Sequence, residues 1–289
     1  MKKVNRIILM LAKAFLTAII LVAVCTYIFF CPPILTRFHG SFLLFPMPPG
    51  EEYKCEMVNN IKRDEVFFEN DKGNKLNGWF FQAKDPNAPV ILFNHGNAGN
   101  IGHRLMLVKW LMDAGASVFL YDYREYGKSE GKKDLAGVIS DARAAYNYLT
   151  ETRKIPPQRI IAYGESIGGG PACSLAAAVP VGGLILDSSF TSLLHVGKKK
   201  VQFFNIYFDF MKPEPPFENI ETIRNSHLPV MIVHGAKDEV IPLSEAKENF
   251  AAANEPKTFL LLPESTHNWK EPDANAYIEG VHKFLANIK

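Results

Sequence analysis

Residues 163–171 read "YGESIGGGP", a stretch that places Gly164, Ser166 and Gly168 in the pattern G-x-S-x-G. This is the signature of a nucleophile elbow, in which a serine sits on a sharp strand-to-helix turn with its hydroxyl raised toward a substrate. With glycine at about 7% of average composition, a chain of this length meets the pattern by chance somewhat less than one time in ten. The flanking sequence therefore decides its meaning. Before it, "RIIAY" is an apolar strand; after it, "IGGGPACSLAAAV" has the composition of a buried helix. A serine at that junction takes a strained backbone, and Gly164 and Gly168 remove side chains that would collide there.

The same alternation runs outward in both directions. "DEVFFEN" and "KLNGWFFQA" predict two antiparallel strands joined through Asp71, Gly73 and Asn74. "PVILFNHGNAGN" and "SVFLYDY" are apolar strands around the helical "HRLMLVKWLMDAG". Beyond the elbow, "GGLILDSS", "PVMIVHG" and "TFLLLPE" are strands, while "LSEAKENFAAAN" and "ANAYIEGVHKFLANI" are helices. Strands that are apolar on both faces and alternate with helices predict an α/β fold, a mostly parallel central sheet with helices on both faces. On such sheets ligands bind at the carboxyl ends of the strands, where Ser166 falls.

A nucleophilic serine needs a base, and the base needs an orienting carboxylate, in the chain order Ser, Asp or Glu, His. "HGAKDEVIP" puts Asp238 just after one strand and "LPESTHNW" puts His267 just after the next. Glu239 and Asp187, the latter in "LILDSSF", are the alternative carboxylates. Acyl transfer also requires two donors for the tetrahedral oxyanion. The Ile167 N–H, directly after the serine, supplies one. The Asn97 N–H, in the loop that Gly96 allows to turn tightly, is the candidate for the other.

The first thirty residues carry a separate message. Lys2, Lys3, Arg6 and Lys13 precede a stretch uncharged from Ala14 to Phe30, and Pro32 and Pro33 stop it. About 24 residues are available, which at ~1.5 Å each reach ~36 Å, enough for a bilayer core of ~30 Å. A cleaved signal would have a shorter apolar region ending in small residues, and neither feature is present. The basic excess before the span predicts a cytoplasmic N-terminus and a catalytic body on the non-cytoplasmic side of the membrane. The chain thus divides into an N-terminal membrane anchor (1–31), a Pro- and Phe-rich docking segment (32–60) and a domain (61–289). Residues 191–219 form a short cap insertion rich in aromatics, suited to covering an acyl chain or to packing its own core.

Composition excludes other classes. A net charge of +2 gives no field for nucleic acid, and Lys198, Lys199 and Lys200, the one dense basic run, read as a solvated face. Cys25, Cys31, Cys55 and Cys173 are too few and too irregular for a disulfide scaffold or a zinc site, so no metal is expected. "YGKSEG" fails as a phosphate loop because Asp122 stands where a glycine is required. No cofactor is expected.

The strings "FNHGNAGNIGHRL", "YDYREYGKSEG", "GESIGGG", "DSSFTSL", "VHGAKDEVIP" and "THNW" together resemble the α/β-hydrolase superfamily, within it the membrane-anchored branch of fungal bud-emergence proteins and their animal and bacterial relatives. The resemblance runs from about Phe45 to the C-terminus. It implies serine ester or thioester hydrolysis with Ser166, Asp238 and His267 as the triad, on acyl-chain or lipid-like substrates, some relatives resembling protein depalmitoylases. A peptidase or amidase on the same fold, or a non-catalytic membrane-tethered binding protein, are the alternatives. Two departures stand out: Glu125 replaces a usual glycine, and Pro171 falls early in the helix, where proline is tolerated.

Overall fold

Along each central strand, alternate side chains enter two different apolar layers, and this period of two builds the sheet. The computed structural model describes residues 2–268 and 270–288. Its eight central strands are β1 Asp64–Glu69, β2 Lys75–Phe81, β3 Val90–Asn94, β4 Ser117–Tyr121, β5 Ile160–Glu165, β6 Gly183–Asp187, β7 Val230–Gly235 and β8 Lys257–Leu262. They lie in the spatial order β1-β2-β4-β3-β5-β6-β7-β8. The β1–β2 and β2–β4 pairs are antiparallel; every other pair in the sheet is parallel.

One layer contains Ile91, Phe93, Ile161, Tyr163, Ile185, Met231 and Val233. Helices α3 (Leu105–Asp113) and α9 (Ala274–Ala286) cover it with Val108, Leu111, Tyr277 and Val281. The opposite layer takes Val90, Leu92, Ile160, Ala162, Leu184, Leu186 and Ile232. There α4 (Leu135–Asn147), α5 (Gly169–Ala178), α7 (Asn219–Asn225) and α8 (Leu243–Ala252) supply Val138, Ala142, Ala172, Ile223 and Ala246. Strand β3 pairs with β4 on one side and β5 on the other. The chain therefore reverses its direction of travel across the sheet at β3, and the crevice beyond the carboxyl ends of β3 and β5 is where such sheets place a ligand.

Helix α1 (Lys2–Phe29) stands apart from these layers. Among the described residues its segment Arg6–Phe29 is the one helix long and apolar enough to cross a membrane, with mean hydropathy 2.7 and no part of its most apolar window buried. Its end docks on the cap, which comprises α6 (Leu193–Lys200) and the turn Gln202–Ile206. The Tyr207 hydroxyl donates to the Tyr27 carbonyl at 2.8 Å, their rings lie 4.7 Å apart, and Phe30 meets Phe203 edge-on. Residues 32–60 touch the domain at separate points, with Leu44, Tyr53 and Val58 buried. After α2 (Pro32–His39), Phe45–Pro46 pairs in parallel with Ala98–Gly99, and Tyr53 is buried against Trp79 with its hydroxyl on Asp122.

In the lysine triplet read as a solvated face, Lys199 and Lys200 are exposed, and each of the three side chains also reaches a partner across the surface. Lys198 pairs with Asp209 at 2.6 Å, Lys199 reaches Glu245 and Glu248 of α8 at 2.7 and 2.8 Å, and Lys200 donates to the Glu239 carbonyl. The acids that accept the charges of Lys198 and Lys199 lie 11 to 49 residues further along the chain, so a window on the triplet could not reveal them.

Candidate active site

Strand β5 delivers Ser166 at its carboxyl end with φ 54°, in the left-handed region that costs a non-glycine residue about 1 to 2 kcal/mol. One tight turn, Ser166–Gly168, then leads into α5. A Cβ at Gly164 would stand 2.5 Å from the Gly169 Cα, and one at Gly168 would stand 2.1 Å from the Asn94 carbonyl oxygen. Both contacts are with backbone, so neither position accepts a side chain without moving β3 or α5. A Cβ at Gly170 would stand 2.5 Å from the ring of Phe217, at the end of the cap, so this glycine admits that ring. The Ser166 carbonyl is itself held by the Ser189 hydroxyl at 2.8 Å.

The loops after β7 and β8 bring two more side chains to this turn. His267 Nε2 lies 3.1 Å from Ser166 Oγ, and His267 Nδ1 lies 2.8 Å from Asp238 Oδ2. The other Asp238 oxygen accepts the Val240 and Ile241 N–H groups, each at 2.8 Å. Burial pushes the Asp238 carboxyl up, but the hydrogen bond and charge of His267 and the Ile241 N–H outweigh it, leaving the group below its ordinary range and ionised. An ionised Asp238 fixes the proton of His267 on Nδ1, so the Nε2 lone pair faces the serine hydroxyl. That arrangement can take a proton from Ser166. His234 braces the Asp238 loop from beneath: burial keeps its imidazole neutral, and its Nε2–H donates to the Ile241 carbonyl at 3.0 Å.

The alternative carboxylates are occupied elsewhere. Asp187 accepts from the Tyr163 hydroxyl at 2.6 Å and from Ser188 at 3.2 Å, and it pairs with Lys270 at 3.1 Å. Lys270 also donates to the His267 carbonyl at 3.1 Å, so this ion pair steadies the histidine loop without touching the imidazole. Glu239 is exposed. Trp269, which ends the string "THNW", lies outside the described residues.

Ile167 is the middle residue of the turn that leads into α5 and is buried. Asn97 lies past the end of β3, its carbonyl held by the Phe45 N–H at 2.8 Å and the Tyr126 hydroxyl at 2.6 Å. The peptide unit that carries the Asn97 N–H has its carbonyl, that of Gly96, held by His95 Nδ1 at 2.7 Å. His95 is fully buried; burial, assisted by the charge of Arg104, takes its imidazole down to about 3, so it stays neutral and acts here as a donor. The Gly96 N–H in turn donates to Glu165 at 3.1 Å, and Glu165 is paired with Arg104 at 3.0 Å. Burial raises Glu165, yet the charges of Arg104 and Lys270 prevail and hold it at about 2. The elbow and the β3 loop are thus tied together by a buried ion pair.

Glu125, where the family pattern has glycine, adopts φ 70°, and its carboxylate accepts the Lys133 N–H at 2.8 Å. The left-handed backbone explains the usual glycine, and the Lys133 bond shows what a side chain can offer in return. The four cysteines are free thiols, with Cys55 exposed and Cys173 buried. His195 of the cap and Glu245 and Glu248 of α8 bring ligand-type atoms within 4.8 Å of one another, but the Lys199 ammonium already bridges the two acids at 2.7 and 2.8 Å.

A family model described as the alpha/beta hydrolase fold matches residues 89–212. Protein bem46 of Schizosaccharomyces pombe is 33% identical over 252 residues, covering 86% of this chain and 82% of its own length. The chain belongs to the α/β-hydrolase family. Among other members, the alpha/beta hydrolase domain-containing protein WAV2 of Arabidopsis thaliana is similar at 30% identity over 259 residues, 81% of this hydrolase and 82% of WAV2. Two solved structures share its fold. An α/β hydrolase from Vibrio vulnificus has a TM-score of 0.69 at 21% identity over 86% of this chain and 93% of its own. An esterase from Pyrococcus furiosus has a TM-score of 0.66 at 18% identity over 85% and 99%.

Proposed function

We propose that this α/β hydrolase is a membrane-anchored serine hydrolase that cleaves carboxylic ester or thioester bonds of acyl-chain or lipid-like substrates. The observation that carries the reading is the continuous relay from Asp238 through His267 to Ser166, with spacings of 2.8 and 3.1 Å, at a serine in the left-handed region. His267 takes the proton of Ser166 as Oγ attacks the acyl carbonyl, and the N–H groups of Ile167 and Asn97 receive the oxyanion. His267 then protonates the departing alcohol or thiol. Water, deprotonated by the same imidazole, releases the acid from the acyl-enzyme. Asp238 holds the imidazole in the productive tautomer throughout.

Three further observations support the reading. The His95 bond to the Gly96 carbonyl orients the peptide that carries the Asn97 donor. Structural neighbours of this fold include an esterase. The exposed, uncharged run of α1 and the basic residues before it fit an anchor with its N-terminus in the cytoplasm and the catalytic domain on the other side. Hydrolysis of a nitrophenyl ester by the detergent-solubilised full chain tests the chemistry. Ser166→Ala lowers turnover by roughly 10⁴- to 10⁶-fold; a variant that keeps most of the activity contradicts the proposal.

A further inference from the structure

A crevice of about 280 Å³ lies between α2 and the cap, outside the hydrogen-bonded relay. One wall is Leu35, Phe42 and Leu43, on the segment that leaves the membrane helix; the other is Leu194, Gly197 and Phe204 of the cap. Two polar residues line the crevice: Thr36 is already satisfied, its hydroxyl donating to the Pro32 carbonyl and accepting the Glu214 N–H at 2.7 Å, and the His39 ring stacks on Phe42 and packs against Phe29. A cavity of this character offers water too few partners to hold it and favours hydrocarbon.

Its position supplies the occupant. Helix α1 ends at Phe29 and α2 begins at Pro32, so two residues separate the apolar span from the crevice wall. The Tyr27–Tyr207 and Phe30–Phe203 contacts clamp the cap to the same point. Phe42 in the crevice wall is 69% exposed, and on the two segments that form the walls Phe38, Phe203 and Ile206 are 70%, 42% and 49% exposed. An exposed apolar rim at the root of a membrane span belongs in the bilayer's interfacial zone, where those side chains leave water.

We infer that the crevice between α2 and the cap receives an acyl chain of a bilayer phospholipid, drawn in laterally at the foot of α1. The inference rests on reading α1 as the anchor and is independent of the chemistry at Ser166. The substitution that tests it is Gly197→Leu. Gly197 sits within α6, and a Cβ there would meet the Phe204 ring at an ordinary 3.6 Å, so the larger side chain grows into the crevice without backbone conflict.

The full chain carrying Ser166→Ala is reconstituted in phosphatidylcholine vesicles doped with a phosphatidylcholine that bears a diazirine on one acyl chain. After irradiation, adducts are mapped by mass spectrometry. Adducts are expected on α1 and on both crevice walls. Adding Gly197→Leu lowers the wall adducts about tenfold, the effect of denying the chain contact worth two methylenes, while those on α1 persist. Gly197→Ala, which leaves the crevice open, retains them, and an unchanged melting temperature shows that both variants fold. Adducts on α1 with none in the crevice overturn the proposal and leave the anchor standing; adducts on neither overturn both. In a parallel detergent arm with free diazirine palmitate, crevice labelling that the vesicle phospholipid does not reproduce overturns the bilayer as the source.

Discussion

Replacing Asp238 with asparagine keeps the shape of the relay and reverses its polarity. In the native site, one carboxylate oxygen takes two backbone N–H bonds of 2.8 Å from Val240 and Ile241, and the other takes His267 Nδ1 at 2.8 Å. Asparagine has a single oxygen, and the two backbone donors claim it. Its NH₂ group then faces His267 Nδ1, which must become an acceptor, and the imidazole proton moves to Nε2. In that tautomer Nε2 has no lone pair for the Ser166 proton. The same inversion in serine proteases costs about 10⁴-fold in turnover, equivalent to ~5.4 kcal/mol of barrier. For Asp238→Asn we expect a loss of that order in kcat for nitrophenyl butyrate, with little change in melting temperature because volume and backbone bonds are retained. Asp187→Asn gives the opposite balance: it disturbs the Lys270 and Tyr163 contacts and lowers stability more than chemistry. If Asp238→Asn stays within about tenfold of the wild type at unchanged stability, the tautomer argument fails.

Other consequences follow from the surrounding contacts. Gly168→Ala drives a methyl group against the Asn94 carbonyl oxygen 2.1 Å away, and denaturant unfolding should show a loss of about 4 kcal/mol or more; native-like stability would mean that the elbow packs differently. His95→Phe keeps the ring against Tyr123 but removes the donor to Gly96, so kcat falls roughly 10- to 100-fold with a smaller change in KM. An unaltered kcat would dissociate His95 from the donor loop. Glu165 is held at about 2 in the fold against an ordinary value of 4.5, so the stability it contributes is complete above about pH 4.5 and is lost as pH falls toward 2. The difference in unfolding free energy between wild type and Glu165→Gln should be on the order of 3 kcal/mol at pH 7 and shrink steadily below pH 4.5; a gap independent of pH would contradict the assignment.

Much of this site is legible in the chain because its parts sit at punctuation marks. Ser166, Asp238 and His267 each follow a run of apolar residues that ends in a polar loop, and a parallel sheet brings successive strand ends to one edge. What the sequence conceals is pairing across long separations. Arg104 and Glu165 are 61 residues apart, and Lys270 and Asp187 lie on opposite sides of the cap in sequence, so neither ion pair leaves a local pattern. The Phe45–Pro46 pairing with Ala98–Gly99 is hidden for another reason: two residues are too few for any periodicity. His95 offers a subtler case. A histidine beside a glycine reads as a loop residue, and only its complete burial and its bond to the next carbonyl reveal a part in aiming the Asn97 peptide.

Fluorophosphonates react with a serine hydroxyl only where a base has activated it and an oxyanion site receives the phosphoryl oxygen, so they interrogate the whole constellation at once. The full chain in native membranes, treated with such a probe and digested, should yield one modified peptide carrying the adduct on Ser166. Labelling should vanish in Ser166→Ala and fall sharply in a His267→Ala variant of normal stability. An adduct on another serine, or none in correctly folded wild-type protein, would contradict the account.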